Sequence, residues 1–119
     1  MKRRIAALLL AAALAALALT AVGQAATPRL VGEVGPGFSI EVTKGGKDVQ
    51  TLKAGTYKIK VEDKASIHNF HLFGPGLNKK TGVSFTGTKA WTIKLKKGKY
   101  TDQCDPHASS GMKDSFRVK

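Results

Sequence analysis

The chain has 119 residues, 20 Lys and Arg against 8 Asp and Glu (formal net charge +12), and a single cysteine. That length suits one small domain. One cysteine excludes an internal disulfide framework, and in an oxidising compartment a free thiol is a liability unless it is buried, bridged to another chain or bound to metal.

Met1-Lys2-Arg3-Arg4 is a basic start, and residues 5–22 are an Ala/Leu-rich apolar run broken only by Thr20. Gly23-Gln24-Ala25 then places small residues where a signal peptidase reads. Residues 1–25 are therefore read as a signal peptide cleaved after Ala25, and residues 26–119 as the mature domain. The competing reading is an uncleaved anchor, because about 20 apolar residues span a bilayer; the small-residue site favours cleavage. Export places the domain in the periplasm or outside the cell. Without Lys2, Arg3 and Arg4, 17 basic residues face 8 acidic ones, a net charge near +9. Such a balance often marks a nucleic-acid binder, but export argues against that partner. The lysines also alternate with apolar residues, as in Lys58-Ile59-Lys60-Val61 and Ile93-Lys94-Leu95-Lys96. They read as solvated strand faces, and the charge favours an acidic redox partner or an anionic surface.

From residue 27 the pattern is that of short strands. Residues 30–34 precede a Gly35-Pro36-Gly37 turn, and residues 38–42 then alternate with period two. Lys44-Gly45-Gly46-Lys47 predicts a hairpin turn. Residues 57–61 place Tyr57, Ile59 and Val61 on one face. Residues 67–73 predict another strand, with His68, Phe70 and Leu72 on one face and Asn69 and His71 on the other. Gly74-Pro75-Gly76 closes it. Residues 77–88 form a polar connection that the pattern assigns neither to helix nor to strand. Residues 89–95 turn Trp91, Ile93 and Leu95 inward, residues 96–99 turn, and residues 100–104 and 115–118 close the chain. About seven short strands at regular turn spacing predict an all-β, Greek-key antiparallel β-sandwich.

The chemistry concentrates between residues 104 and 112. Cys104, His107 and Met112 lie within nine residues, and His68 comes from a separate strand. A thiolate, two imidazoles and a weak thioether are the donor set of a trigonal blue-copper site. Zinc would require a stronger fourth donor than methionine. Pro106 stiffens the loop and Gly111 permits a tight return. Bringing His68 to Cys104, 36 positions later, costs roughly 3 kcal/mol of closure entropy plus a constant, so the folded sandwich must pre-form the site. Taken alone, His68 on an apolar face favours a hydrogen-bonded core residue over a ligand, and Met112 has a core-filler reading beside the axial one. His71 reads as a surface histidine.

At His68-Asn69-Phe70, Cys104-Asp105-Pro106-His107 and Met112 the chain resembles the small blue copper proteins, the plastocyanin and azurin relatives known as cupredoxins. The resemblance covers about residues 56–118, and the remainder matches in strand pattern alone. It implies one type 1 copper, with His68, Cys104 and His107 as close equatorial ligands and Met112 as the long axial one. It also implies that Asn69 pins the ligand loop near Asp105, and that His107 is the electron exit within an apolar patch drawn from Pro75, Leu77, Pro106 and Ala108. Ile67 stands where azurins carry a glycine, which favours four-coordinate copper. In place of the family's Tyr-x-Phe-x-Cys run, this chain has Tyr100-Thr101-Asp102-Gln103-Cys104. Alternation points Asp102 into the core, so it has a partner, or the strand is bulged, or the site is less stable than in its relatives. The reading is a monomeric, non-enzymatic one-electron carrier exchanging electrons between redox partners. The alternative is an exported copper-binding or copper-delivery protein without an electron-transfer role.

Overall fold

The computed structural model describes residues 25–119; the signal-peptide reading falls on residues 1–24, outside the described residues, apart from its last position. Ten strands are present among the described residues: β1 (Arg29–Val34), β2 (Ile40–Lys44), β3 (Lys47–Asp48), β4 (Thr51–Leu52), β5 (Gly55–Asp63), β6 (His71–Gly74), β7 (Leu77–Lys80), β8 (Gly87–Leu95), β9 (Gly98–Gln103) and β10 (Lys113–Val118). They form two five-stranded sheets, ordered β3-β2-β1-β5-β8 and β4-β10-β9-β6-β7. The all-β sandwich expected from the alternation is what the chain forms. Most pairings are antiparallel, while β1 with β5 and β4 with β10 run parallel. Parallel neighbours require a crossover between distant segments, which local turn signals do not reveal.

Period-two patterning explains the core. In β5, Tyr57, Ile59, Val61 and Asp63 are buried while Lys58 and Lys60 are exposed. Facing strands contribute Leu30, Val34, Ile93, Leu95, Leu72, Tyr100, Phe116 and Val118. Each fully buried aliphatic or aromatic side chain of this kind stabilises the fold by about 1.5–3 kcal/mol. Tyr100 stacks on Phe116 at 5.6 Å, and its hydroxyl donates to Pro75 O at 2.7 Å.

Three local expectations are corrected. Residues 64–70 are not a strand; pairing begins at His71, so Asn69 is buried at 2 % exposure instead of lying on the outer face. The unassigned connection contains β7, a hairpin partner of β6 joined through Pro75 and Gly76. Phe38 precedes β2 instead of opening it, and is 68 % exposed.

The strands give the sandwich two poles. At one lie the segment between β1 and β2, residues 64–70, and the loop between β9 and β10. At the other lie the β2–β3 turn, the β4–β5 link, the β6–β7 and β8–β9 turns, and the carboxyl end. The candidate site occupies the first pole.

Candidate metal centre

The β9–β10 connection is built for rigidity. Cys104, in extended conformation, caps a 3-10 helix over Asp105–Ser110, with Pro106 in its first turn. Gly111, at φ 101°, turns the chain back in a left-handed conformation that a side chain would strain. Cys104 N donates to Met112 O at 3.0 Å and Met112 N to His107 O at 3.2 Å. Cys104 and Met112 therefore flank the helix as backbone partners, and β9 and β10 pair directly below at Gln103 and Lys113.

His68 reaches this loop from the segment ahead of β6. Its Nδ1 lies 3.0 Å from His107 Nδ1 and 3.6 Å from Cys104 Sγ, and His107 Nδ1 lies 3.4 Å from the same sulfur. These three donor atoms form a closed triangle. A point equidistant from them is about 1.9 Å from each, against roughly 2.0–2.1 Å for imidazole nitrogen and about 2.3 Å for thiolate on a comparable metal. The triangle thus fits one metal ion, and its two imidazoles and thiolate suit a single type 1 copper. Cys104 and His68 are fully buried and His107 is half-buried, giving the site one partly open edge.

Packing orients the rings. His68 Nε2 is buried without a protein hydrogen-bond partner, so neighbouring atoms hold the imidazole in place. A Cβ at Gly35 would come within 3.3 Å of His68 Cδ2 and 3.2 Å of Ala65 Cβ, and Gly35 itself sits at φ +75°. Only glycine allows the β1–β2 segment to approach the ring this closely. Phe38 packs edge-on against both histidines, with centroids 5.2 Å from His68 and 5.0 Å from His107. Exposed Ile67 directly precedes His68 in the chain.

A polar lattice fixes the two ligand-bearing segments to each other. Asp105 N donates to Asn69 Oδ1 at 2.7 Å, and Asn69 Nδ2 donates to Asp105 Oδ2 at 2.9 Å and to Thr81 O at 3.3 Å. This is the pinning contact that the resemblance implied. The carboxylate of Asp105 is further held by Gln103 Nε2 at 2.9 Å and by His71 Nδ1 at 2.7 Å. Partial burial pushes its pKa up, yet hydrogen bonds from Gln103, Asn69 and His71 outweigh burial and hold it down at about 2. His71 is thus tied to Asp105 and, through Nε2, to Asn78 Oδ1 at 2.6 Å; it is not one of the three converging donors. On the far side, Phe70 N donates to Thr81 Oγ1, which donates to Asp63 Oδ2, and Asp63 Oδ1 accepts from Ala65 N. Burial raises the pKa of Asp63 against those bonds.

Sequence reasoning brought together His68, Cys104 and His107, which the structure juxtaposes. It also named Met112, whose side chain is buried at 1 % exposure beside the loop. It missed Phe38, Thr81, Asp63 and the bonds of His71. Asp63 carried a signal, because it continues the inward series Tyr57, Ile59, Val61. Two members of the expected apolar patch are misplaced: Pro75 and Leu77 belong to the β6–β7 hairpin at the opposite pole, where Pro75 touches Gly98. Phe38, packed on both histidine rings, is the apolar side chain the structure sets at the site instead. Asp102 is also settled in part. Pairing runs unbroken through it on both sides, to Asp114 and to Leu72, so the strand is not bulged. It is 1 % exposed and its Oδ2 has no partner; burial and then the neighbouring Asp114 push its pKa to about 7.

No protein-family model and no curated protein matches the sequence. Solved structures do. A rusticyanin described as a copper protein is 22 % identical, aligned over 92 % of this chain and 94 % of its own, with a TM-score of 0.59. Rusticyanin from Thiobacillus ferrooxidans is 22 % identical over 91 % and 93 %, with a TM-score of 0.54. Auracyanin B is 15 % identical over 81 % and 93 %, with a TM-score of 0.55. The chain has the fold of these blue copper cupredoxins and presents a His-Cys-His cluster at one pole of that fold.

Proposed function

We propose that the protein is an exported one-electron carrier with a single copper held by His68, Cys104 and His107 and, axially, by Met112. The observation that carries this reading is the convergence of two imidazole nitrogens and one thiol within 3.6 Å of each other in a buried setting. Copper bound there would supply a one-electron couple. The chain supplies everything that keeps such a couple fast: it binds the ion through donors already in place, so little rearranges between charge states. Cys104 would hold the ion through its sulfur, as a thiolate whose proton passes to solvent on binding. Asn69, Asp105 and Thr81 hold the His68 segment to the ligand loop, and outer contacts of this kind tune a metal's affinity and potential. Phe38 and the buried walls limit water to the His107 edge, which makes His107 the route of exchange with a docked redox partner. The domain works as a monomer in the periplasm or outside the cell and makes or breaks no covalent bond in a substrate. Among the described residues no helix is long and apolar enough to cross a membrane.

Repeated oxidation and reduction of the copper-loaded protein, in the presence of a Cu(I) chelator, tests this. A carrier keeps its copper and gives reversible voltammetry. Loss of Cu(I) to the chelator at each reduction would replace the proposal with copper delivery.

A further inference from the structure

The charge of the domain is sorted by pole. Residues 25–119 carry 17 Lys and Arg, and eleven of them lie in the turns and strand halves remote from the histidine–cysteine cluster. Lys44 and Lys47 flank the β2–β3 turn, Lys53 the β4–β5 link, Lys96 and Lys97 the β8–β9 turn, and Lys119 ends the chain; all are exposed. Among the described residues, one carboxylate, Asp48, accompanies those eleven cations. The other seven carboxylates, Glu33, Glu62 and Asp105 among them, lie in the half that bears the site, where Glu33 and Glu62 pair with Lys64 and Lys60. The site pole is therefore nearly neutral, and all of the net positive charge sits at the other.

Distance decides what this charge can do. The six residues of β9 separate the lysine turns from Cys104 by about 20 Å, while charges are screened over about 8 Å at physiological ionic strength. The lysines therefore contribute little attraction at the His107 edge, and an acidic redox partner docking there would not meet them. They instead make a broad cationic face. An open groove in it is lined by Lys44, Lys47 and Lys53 over Val49, Leu52 and Tyr57. The chain also enters the sandwich at this pole, where Lys58 N donates to Pro28 O.

We infer that the lysine-rich pole docks the protein on an anionic phospholipid bilayer, turning the His68–Cys104–His107 pole outward to its redox partner. The docking surface does not depend on the copper reading, because it uses none of the site residues. Each lysine close to an anionic leaflet strengthens partitioning about five-fold, so three removed together weaken it on the order of 100-fold.

Co-sedimentation of the full chain, as isolated from its host, with phosphatidylcholine vesicles containing phosphatidylglycerol tests the inference. The triple change Lys44→Gln, Lys47→Gln, Lys96→Gln should weaken binding about 100-fold. The charge-matched triple Lys79→Gln, Lys80→Gln, Lys113→Gln, at the site pole, should weaken it less than about five-fold. Binding should also fall steeply with salt. Equal loss in both variants would overturn the inference in favour of net charge alone. Equal binding to vesicles of phosphatidylcholine only would overturn it in favour of the apolar run. Failure to bind either vesicle while binding an acidic polypeptide would overturn it in favour of a protein partner.

Discussion

Replacing Asn69 with alanine tests the lattice that joins the two halves of the site. The amide makes three hydrogen bonds: from Asp105 N at 2.7 Å, to Asp105 Oδ2 at 2.9 Å and to Thr81 O at 3.3 Å. A bond to an ionised group contributes about 1.5–3 kcal/mol net and an ordinary one about 0.5–1.5 kcal/mol. The Asp105 side chain is 33 % exposed, so water can replace part of the loss. Asn69→Ala should therefore cost about 2–4 kcal/mol. For a domain of this size, that lowers the midpoint of thermal unfolding, followed by circular dichroism, by roughly 10–25 °C. Asn69→Asp should be no better, since it sets a second carboxylate against Asp105. If the lattice also orients the ligands, copper affinity should fall about 10- to 100-fold, the usual effect of losing an outer contact. A midpoint within a few degrees of the parent, or a large drop in stability with unchanged copper affinity, would refute the reasoning.

Asp102 makes stability depend on pH in a specific direction. Its native pKa of about 7 exceeds the ordinary 3.8, so the unfolded chain releases this proton first as pH rises. Stability should decline between about pH 4 and pH 7 and stay low above, by an upper bound on the order of 4 kcal/mol at ~1.4 kcal/mol per unit. Asp102→Asn should flatten that slope and be the more stable form at pH 8; parallel urea-unfolding curves for the two proteins across this range would contradict it. Gly32→Ala would put a Cβ 2.4 Å from Phe70 Cζ, and overpacking of that kind costs about 1–3 kcal/mol; an unchanged unfolding midpoint would show that Phe70 yields freely. Phe38→Ala removes a 68 % exposed ring, so stability should change by less than about 0.5 kcal/mol. Water admitted to the two imidazoles should nonetheless favour the more highly charged copper and lower the reduction potential, and an identical voltammogram would count against Phe38 as a shield.

What the sequence reveals and what it conceals follow from different physics. Strand faces are legible because burial of one face imposes period two, as at Tyr57, Ile59 and Val61. The Cys104–His107 spacing is legible because both side chains belong to one turn of chain. His68 is identified by residue type, although its segment is not the strand its pattern suggests: a buried run such as 67–73 reads apolar whether extended or looped. Parallel pairing of β1 with β5 leaves no local mark. Phe38 fits a strand alternation, yet residues 36–38 bend away from the sheet and its ring lies against the two histidines. The lattice through Thr81 and His71 needs three segments together, and no short motif encodes it. Pro75 and Leu77 were misplaced because a hairpin's pole depends on strand directions, which composition does not carry.

The visible spectrum of the purified protein after addition of Cu(II) tests the central claim most directly. A thiolate and two imidazoles on one copper predict one equivalent bound and an intense visible absorption that disappears in Cys104→Ala while the fold persists. A colourless adduct, or colour that survives Cys104→Ala, would contradict the account.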